Sequence, residues 1–191
     1  NPDDVRARFL VAADAYELSV TEAMNFFPHT FSIEEQMATI EAKAEAAGGF
    51  IAVIVDTSAA YFKGDNENDN VQAGEHARIL RQLTTLPGKP AVIVPCHPIK
   101  NASRDNLLPR GGGAYIAEVD GGLTLWSDDD GKTTQLHWQG KLRSVDFEPL
   151  DFELVTRTSD KVKDKKDRHI PSVVAFPITE DKTIELNKEA R

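Results

Sequence analysis

The chain has 191 residues, 40% of them hydrophobic and 28% charged, which is the make-up of one soluble domain with a sizeable core. No apolar run approaches the roughly 20 residues of a membrane span, no signal-peptide pattern is visible, and the single cysteine, Cys96, excludes an internal disulfide, so a cytoplasmic setting without a membrane partner is expected. The net charge of −9 argues against a broad basic face for nucleic acid, though not against contact through one loop or a ring's channel.

The stretch "PDDVRARFLVAADAYEL" (2–18) reads as a helix. Pro2 suits its first turn, Asp3 and Asp4 suit its positive end, and Val5, Phe9, Leu10 and Ala13 share a face. "FFPHTF" (26–31) reads as a short strand or strand exit. "SIEEQMATIEAKAEAAGG" (32–49) is a cleaner helix, with a Ser32–Glu35 capping box, a stripe of Ile33, Met37, Ile40 and Ala44, and a stop at Gly48-Gly49. "FIAVIVD" (50–56) lacks polar alternation and reads as a strand buried on both faces of a parallel sheet. "VQAGEHARILRQLTTL" (71–86) is the next helix, broken by Pro87-Gly88. "PAVIVPCH" (90–97) is a second two-sided strand. Strand, helix and strand in this order make a βαβ unit with a right-handed crossover.

The pattern then changes. "GLTLW" (122–126), "TQLHWQ" (134–139), "DFELV" (151–155) and "SVVAFPI" (172–178) are short strands joined by turn-like segments at 128–131 and 161–169. They read as hairpins added to the edge of the parallel part. The basic run Lys161 to His169 carries two aspartates and reads as a solvated hairpin tip. "TEDKTIELNKEA" (179–190) reads as a helix. The expected organisation is one domain over 1–191: a parallel βα part to about 120, antiparallel strands over about 121–178, and a C-terminal helix or tail over 179–191.

Asp56 ends an apolar strand, and ligands of open α/β sheets sit beyond the carboxyl ends of the strands. An acid there can order magnesium, which takes one or two carboxylates, often through water, beside phosphate oxygens. It can equally be a turn former. The following "GDNENDN" alternates acids as an EF-hand start does, but Asn70 stands where glycine is needed and His76 where glutamate is needed, so calcium is rejected. His97 ends the second strand, suited either to sensing a phosphate or to bonding a backbone carbonyl. A Cys96–His97 dyad is unfavourable, because strand neighbours point to opposite faces. Arg110 precedes three glycines that permit close backbone approach or a hinge. Lys141 and Arg143 stand two apart on one strand face, as a functional pair or as surface charge.

Taken in order, "NPDDVRAR", "IAVIVDTSAAYFKGDNENDN", "CHPIKNA", "LLPRGGGAYIAEVDGGLTLW" and "WQGKLRSVDFEPLDFEL" resemble the RecA-like P-loop ATPases of the RepA/DnaB hexameric helicase type. The resemblance runs from Asn1 to about Pro177. It implies a RecA-like three-layer α/β core with a parallel sheet, extended by antiparallel C-terminal strands. It further implies ATP and Mg2+ as cofactors, single-stranded DNA as partner and a hexameric ring. Asp56 matches the aspartate that orders magnesium, and His97 the polar residue that senses the γ-phosphate. Arg110 lies where related helicases carry an arginine followed by small residues, acting across a subunit boundary. Gly111 and Gly112 belong to a mobile nucleotide-side segment near DNA-binding loops. Lys141 and Arg143 match a Lys-x-Arg finger inserted into a neighbour's ATP site.

The family's phosphate-binding loop and catalytic glutamate have no counterpart in the 191 residues; no GxxxxGK[ST] occurs. The chain, which begins at Asn1 rather than Met, is therefore expected to be the family minus its first strand–helix portion. It is expected not to turn over ATP by itself, and its sheet to bare an unpaired edge. Two other readings compete. One is a non-catalytic RecA-like module that binds nucleic acid or protein. The other is an independent Mg-dependent phosphoryl hydrolase using Asp56, Asp65, Glu67 and Asp69, disfavoured because neighbours on one loop rarely converge on a two-metal site.

Overall fold

The computed structural model describes residues 2–19, 25–27, 29–127 and 131–178. In chain order the elements are α1 (Pro2–Ala15), α2 (Ile33–Ala46), β1 (Ala52–Ile54), α3 (Ser58–Tyr61), α4 (Asn70–Gln82), a 3-10 turn (Leu83–Thr85), β2 (Ala91–Ile93), α5 (Gly112–Glu118), β3 (Gly121–Ser127), β4 (Thr133–Leu142), β5 (Leu150–Arg157) and β6 (Ser172–Pro177). The fold is mixed α/β. β1 and β2 form a two-stranded parallel sheet, and β3-β4-β5-β6 form a four-stranded sheet in sequence order. Among the described residues no helix is long and apolar enough to cross a membrane.

Contacts divide the chain into two compact units. The first comprises Asn1–Pro28, Thr124–His137 and Phe147–Arg191. Its centre is Val11 of α1 against Val162 and Val174, with Leu10 and Phe176 packed around them. Tyr16 stacks on Phe176, and its hydroxyl donates to the Ala175 carbonyl. Asp14 accepts from Ser159 and Lys161, so the short apolar face of α1 is flanked by a polar clamp. β5 and β6 pair antiparallel, with Leu154 opposite Ala175. The 160–169 segment is a self-paired hairpin tip: His169 meets Asp160, and Asp164 accepts from the backbone of Lys166 and Arg168.

The second unit comprises His29–Leu123 and Trp138–Asp146. α2 begins as its sequence dictates. Ser32 accepts the Glu35 N–H at 3.2 Å, while Ile33, Ile40 and Ala44 are buried and Met37 half-buried. Glu35 itself pairs with Lys63 at 2.8 Å. α4 is capped by Asp69, whose carboxylate accepts from Val71 and Gln72 at 3.0 Å each. Its buried stripe is Ala73, His76, Ala77 and Leu80. The β1 and β2 runs start side by side because Gly49 and Gly88, both at positive φ, bring their backbones so close that a Cβ on Gly88 would lie 2.3 Å from the Phe50 carbonyl oxygen. The register then sets Ala52, Val53 and Ile54 beside Ala91, Val92 and Ile93.

Several expectations need correction. β1 and β2 are not buried on both faces: Ile51 is 92% exposed, Ile54 67% and Ile93 53%. A two-stranded sheet offers one covered face, and here it is the Val53, Val55 and Val92 side. The antiparallel strands do not extend this sheet; they form a sheet of their own, because each pairs with its sequence neighbour. No strand forms at 26–27 or 29–31. The first helix stops at Ala15, where Glu17 turns left-handed and the Leu18 N–H reaches the Ala13 carbonyl. The helix expected over 71–86 ends at Gln82 and tightens into the 3-10 turn. Of the glycine run, Gly111 makes a close backbone approach to α4, while Gly112 and Gly113 open α5. The helix expected over 179–190 and most of the turn at 128–131 lie outside the described residues.

Candidate functional site

Parallel pairing brings the carboxyl ends of β1 and β2 together. The Val55 N–H donates to the Ile93 carbonyl (3.0 Å) and the Ser58 N–H to the Pro95 carbonyl (2.9 Å), so the segments run on side by side past the strands. Asp56 therefore emerges, exposed, from the same end as His97. The Asp56–Thr57 peptide bond is cis. Beyond β2 the chain loops out and returns: Ile99 N–H meets the Leu108 carbonyl, and Arg110 N–H donates to the His97 carbonyl at 3.3 Å. That return sets Arg110 beside the strand ends. Its guanidinium bonds the Glu67 carboxylate at 2.8 Å.

These segments close a cleft with a cavity of about 30 Å³, bordered by Ser58, Glu67, His76, His97, Arg110 and Tyr115. That is room for water-sized guests. Inside it His76, almost wholly buried, shares a hydrogen bond of 3.1 Å with Ser58. The ring stands edge-on to Phe62. Burial pushes the His76 pKa down, against the opposing pull of Ser58 and of the Glu67 charge. β2 ends at Ile93, short of the expected 97, and past its end Cys96 turns inward and donates to the Tyr115 hydroxyl at 3.5 Å, whereas His97 is exposed. Burial raises the Cys96 thiol pKa, partly offset by its bonds to Tyr115 and Ser58. Burial likewise raises the Tyr115 phenol, with the neighbouring Cys96 adding to it. A protonated thiol beside a protonated phenol is a poor nucleophile.

Gly111 supplies the tightest contact. It sits at φ 77°, and a Cβ there would lie 2.2 Å from the Ala73 Cβ and 3.1 Å from the Glu67 carbonyl oxygen. Only glycine lets this segment lie flat on α4. Gly112, at φ 46°, faces open space and begins α5.

Lys141 and Arg143 stand at the other end of α5. Lys141 donates to the carbonyls of Ile116 (3.2 Å) and Ala117 (2.8 Å), capping the helix's negative end. Arg143 pairs with Asp120 at 2.7 Å, and Arg81 donates to the Glu118 carbonyl. The cleft is thus bordered by His97 and Arg110, with Gly111 next to Arg110 in the chain; Asp56 leaves the same end of the sheet but does not line the cleft, and Lys141 and Arg143 lie at the far end of α5.

Among the described residues no group of three His, Cys, Asp or Glu side chains converges as a metal site. Asp65 and Asp69 do not join Asp56 in such a group, because the loop folds on itself. Gln72 accepts the N–H groups of Asp65 and Asn66, and Asn66 accepts that of Asn68. A lone carboxylate at Asp56 suits magnesium that keeps most of its water. A second cavity, about 240 Å³, lies between the first turn of α2, Tyr61–Asp65 and α4.

Ser58, His76 and Tyr115 were not legible as site residues from the sequence. His76 falls on the apolar stripe of α4, where a histidine reads as core. No family model and no curated protein matches the chain.

Proposed function

We propose that the chain is part of a RecA-like ATPase of the RepA/DnaB helicase type, which couples ATP hydrolysis between subunits to movement on single-stranded DNA. The observation that carries this reading is the parallel pairing of β1 with β2, with Asp56 and His97 at one end and Arg110 tied to the His97 carbonyl. That is the end of an α/β sheet at which ligands bind. The residue order of the resemblance supports it independently. The RecA-like three-layer core belongs to the same proposal, with the exposed Ile51, Ile54 and Ile93 as the face that further layers of the complete protein would cover.

In this reading Asp56 orders the magnesium shell of ATP, and His97 meets the γ-phosphate. Magnesium, when bound, neutralises charge on the transferring phosphoryl group. Arg110 offers its guanidinium to phosphate, whose oxygens it matches as it matches a carboxylate. Lys141 and Arg143 serve as fingers toward a neighbouring subunit of a homo-oligomeric ring, leaving their α5 and Asp120 partners to do so. Gly111 and Gly112 set the backbone beside the nucleotide. No phosphate-binding loop lies within the 191 residues. An ATPase of this type requires one, so the proposal assigns it to polypeptide outside them.

The coding sequence ahead of Asn1 tests this. GxxxxGK[ST] within about 100 residues, together with a glutamate shortly before Asn1, is the expected result. A complete gene without either motif, whose product binds single-stranded DNA indifferently to ATP, would instead support the non-catalytic RecA-like module.

A further inference from the structure

We infer that Glu67 is the positioning residue of the cleft: its carboxylate holds Arg110 while no phosphate is present and gives Arg110 up when one arrives. This rests on the phosphate-site reading above. The loop that carries Glu67 is built for placement. Asp69 is committed to the α4 cap, Gln72 fastens Asp65 and Asn66, and Asn66 fastens Asn68. Glu67 reaches instead to a residue 43 positions away. The backbones of the two segments are independently in contact, since Gly111 lies against Ala73 and the Glu67 carbonyl oxygen. Breaking the ion pair therefore leaves the walls of the cleft standing, and only the side chains exchange partners.

The pair is also reachable. The Arg110 side chain is 40% exposed and that of Glu67 27%. A carboxylate oxygen on a guanidinium occupies the geometry that a phosphate oxygen takes. An incoming phosphate adds charge and acceptor oxygens and competes directly with Glu67. Phosphate repels the displaced carboxylate, so release and uptake reinforce one another.

Cys96 borders the same cleft and is the only cysteine in the chain, so its alkylation by iodoacetamide reports access without an added probe. The rate is read for the wild-type chain, Glu67→Gln and Arg110→Gln, each with and without inorganic phosphate. Folding of each variant is checked by its circular dichroism. Without phosphate, both variants are expected to react about fivefold faster, the size of a half-exposed ion pair; a rise in Glu67→Gln alone is the loss of a charge that adds to burial in holding the Cys96 thiol pKa up, and overturns the latch. Phosphate then slows Glu67→Gln at about fivefold lower concentration than it slows the wild type, and leaves Arg110→Gln unprotected. Equal rates in wild type and Glu67→Gln without phosphate overturn the latch, whatever phosphate does. A raised rate that phosphate leaves unchanged in every chain overturns the phosphate-site reading on which it rests.

Discussion

Replacing Gly111 with alanine tests how the Arg110 segment is held. Two costs combine. An L-residue at φ 77° is in the left-handed region, worth about 1–2 kcal/mol. The new methyl would also lie 2.2 Å from the Ala73 Cβ, on a helix position that is only 2% exposed. Overpacking of that kind costs about 1–3 kcal/mol. Gly111→Ala should therefore lose about 2–5 kcal/mol in urea unfolding followed by circular dichroism. Gly113→Ala is the internal control. It lies two residues on in the same run, within α5, with nothing within 4 Å of its Cβ position. Alanine there should hold or add stability, up to about 1 kcal/mol. If Gly111→Ala loses less than about 1 kcal/mol, or the two variants behave alike, Gly111 is not seated on α4 and the placement of Arg110 is wrong.

Three further outcomes follow from the same contacts. His76 is held neutral by burial, with its pKa below the ordinary 6.5. The unfolded chain therefore binds a proton that the folded chain refuses, so stability is full above about pH 6.5 and declines below it. The melting temperature should fall as the pH drops below about 6.5, and His76→Gln should flatten that slope; an unchanged slope would assign it to other groups. Asp69→Ala removes the α4 cap, worth about 1 kcal/mol, and should lower the melting temperature by about 2–4 °C. A melt identical to wild type would deny the cap. Lys141→Met keeps the aliphatic stem but loses both α5 carbonyls. Hydrogen exchange across Gly112–Glu118 should speed up several-fold, by about 1 kcal/mol of lost protection; exchange that does not change would mean Lys141 is already a free finger.

How much was legible depended on the range of the interaction. α2 was readable because its cap, its stripe and its glycine stop are all local, and Ser32, Ile33, Ile40 and Ala44 behave as their spacing dictates. β1 and β2 were readable as parallel strands from uninterrupted apolar runs, but a run records hydrophobicity and not what covers each face. Ile54 and Ile93 are exposed for that reason. α5 was illegible because glycines at its start are poor helix formers. It forms through tertiary partners: packing on α4, and capping of its carbonyls by Lys141 and Arg81. Strand-end logic pointed to Asp56 and His97, of which His97 borders the cleft, although β1 ends at Ile54 and β2 at Ile93. The Ser58–His76 and Cys96–Tyr115 bonds join residues 18 and 19 positions apart, and local pattern carries no trace of them. Glu67 read as one acid among several until its reach to Arg110 set it apart.

ATP hydrolysis tests the proposed function most directly. Phosphate release should be followed with magnesium and single-stranded DNA, in the protein carrying the phosphate-binding segment and in the 191-residue chain alone. The complete protein should turn over ATP. Asp56→Ala should lower the rate by about 100-fold or more, and Arg110→Ala by about 1,000-fold. The 191-residue chain should release none. Full activity in both variants, or robust magnesium-dependent hydrolysis by the 191-residue chain that Asp56→Ala abolishes, would contradict it.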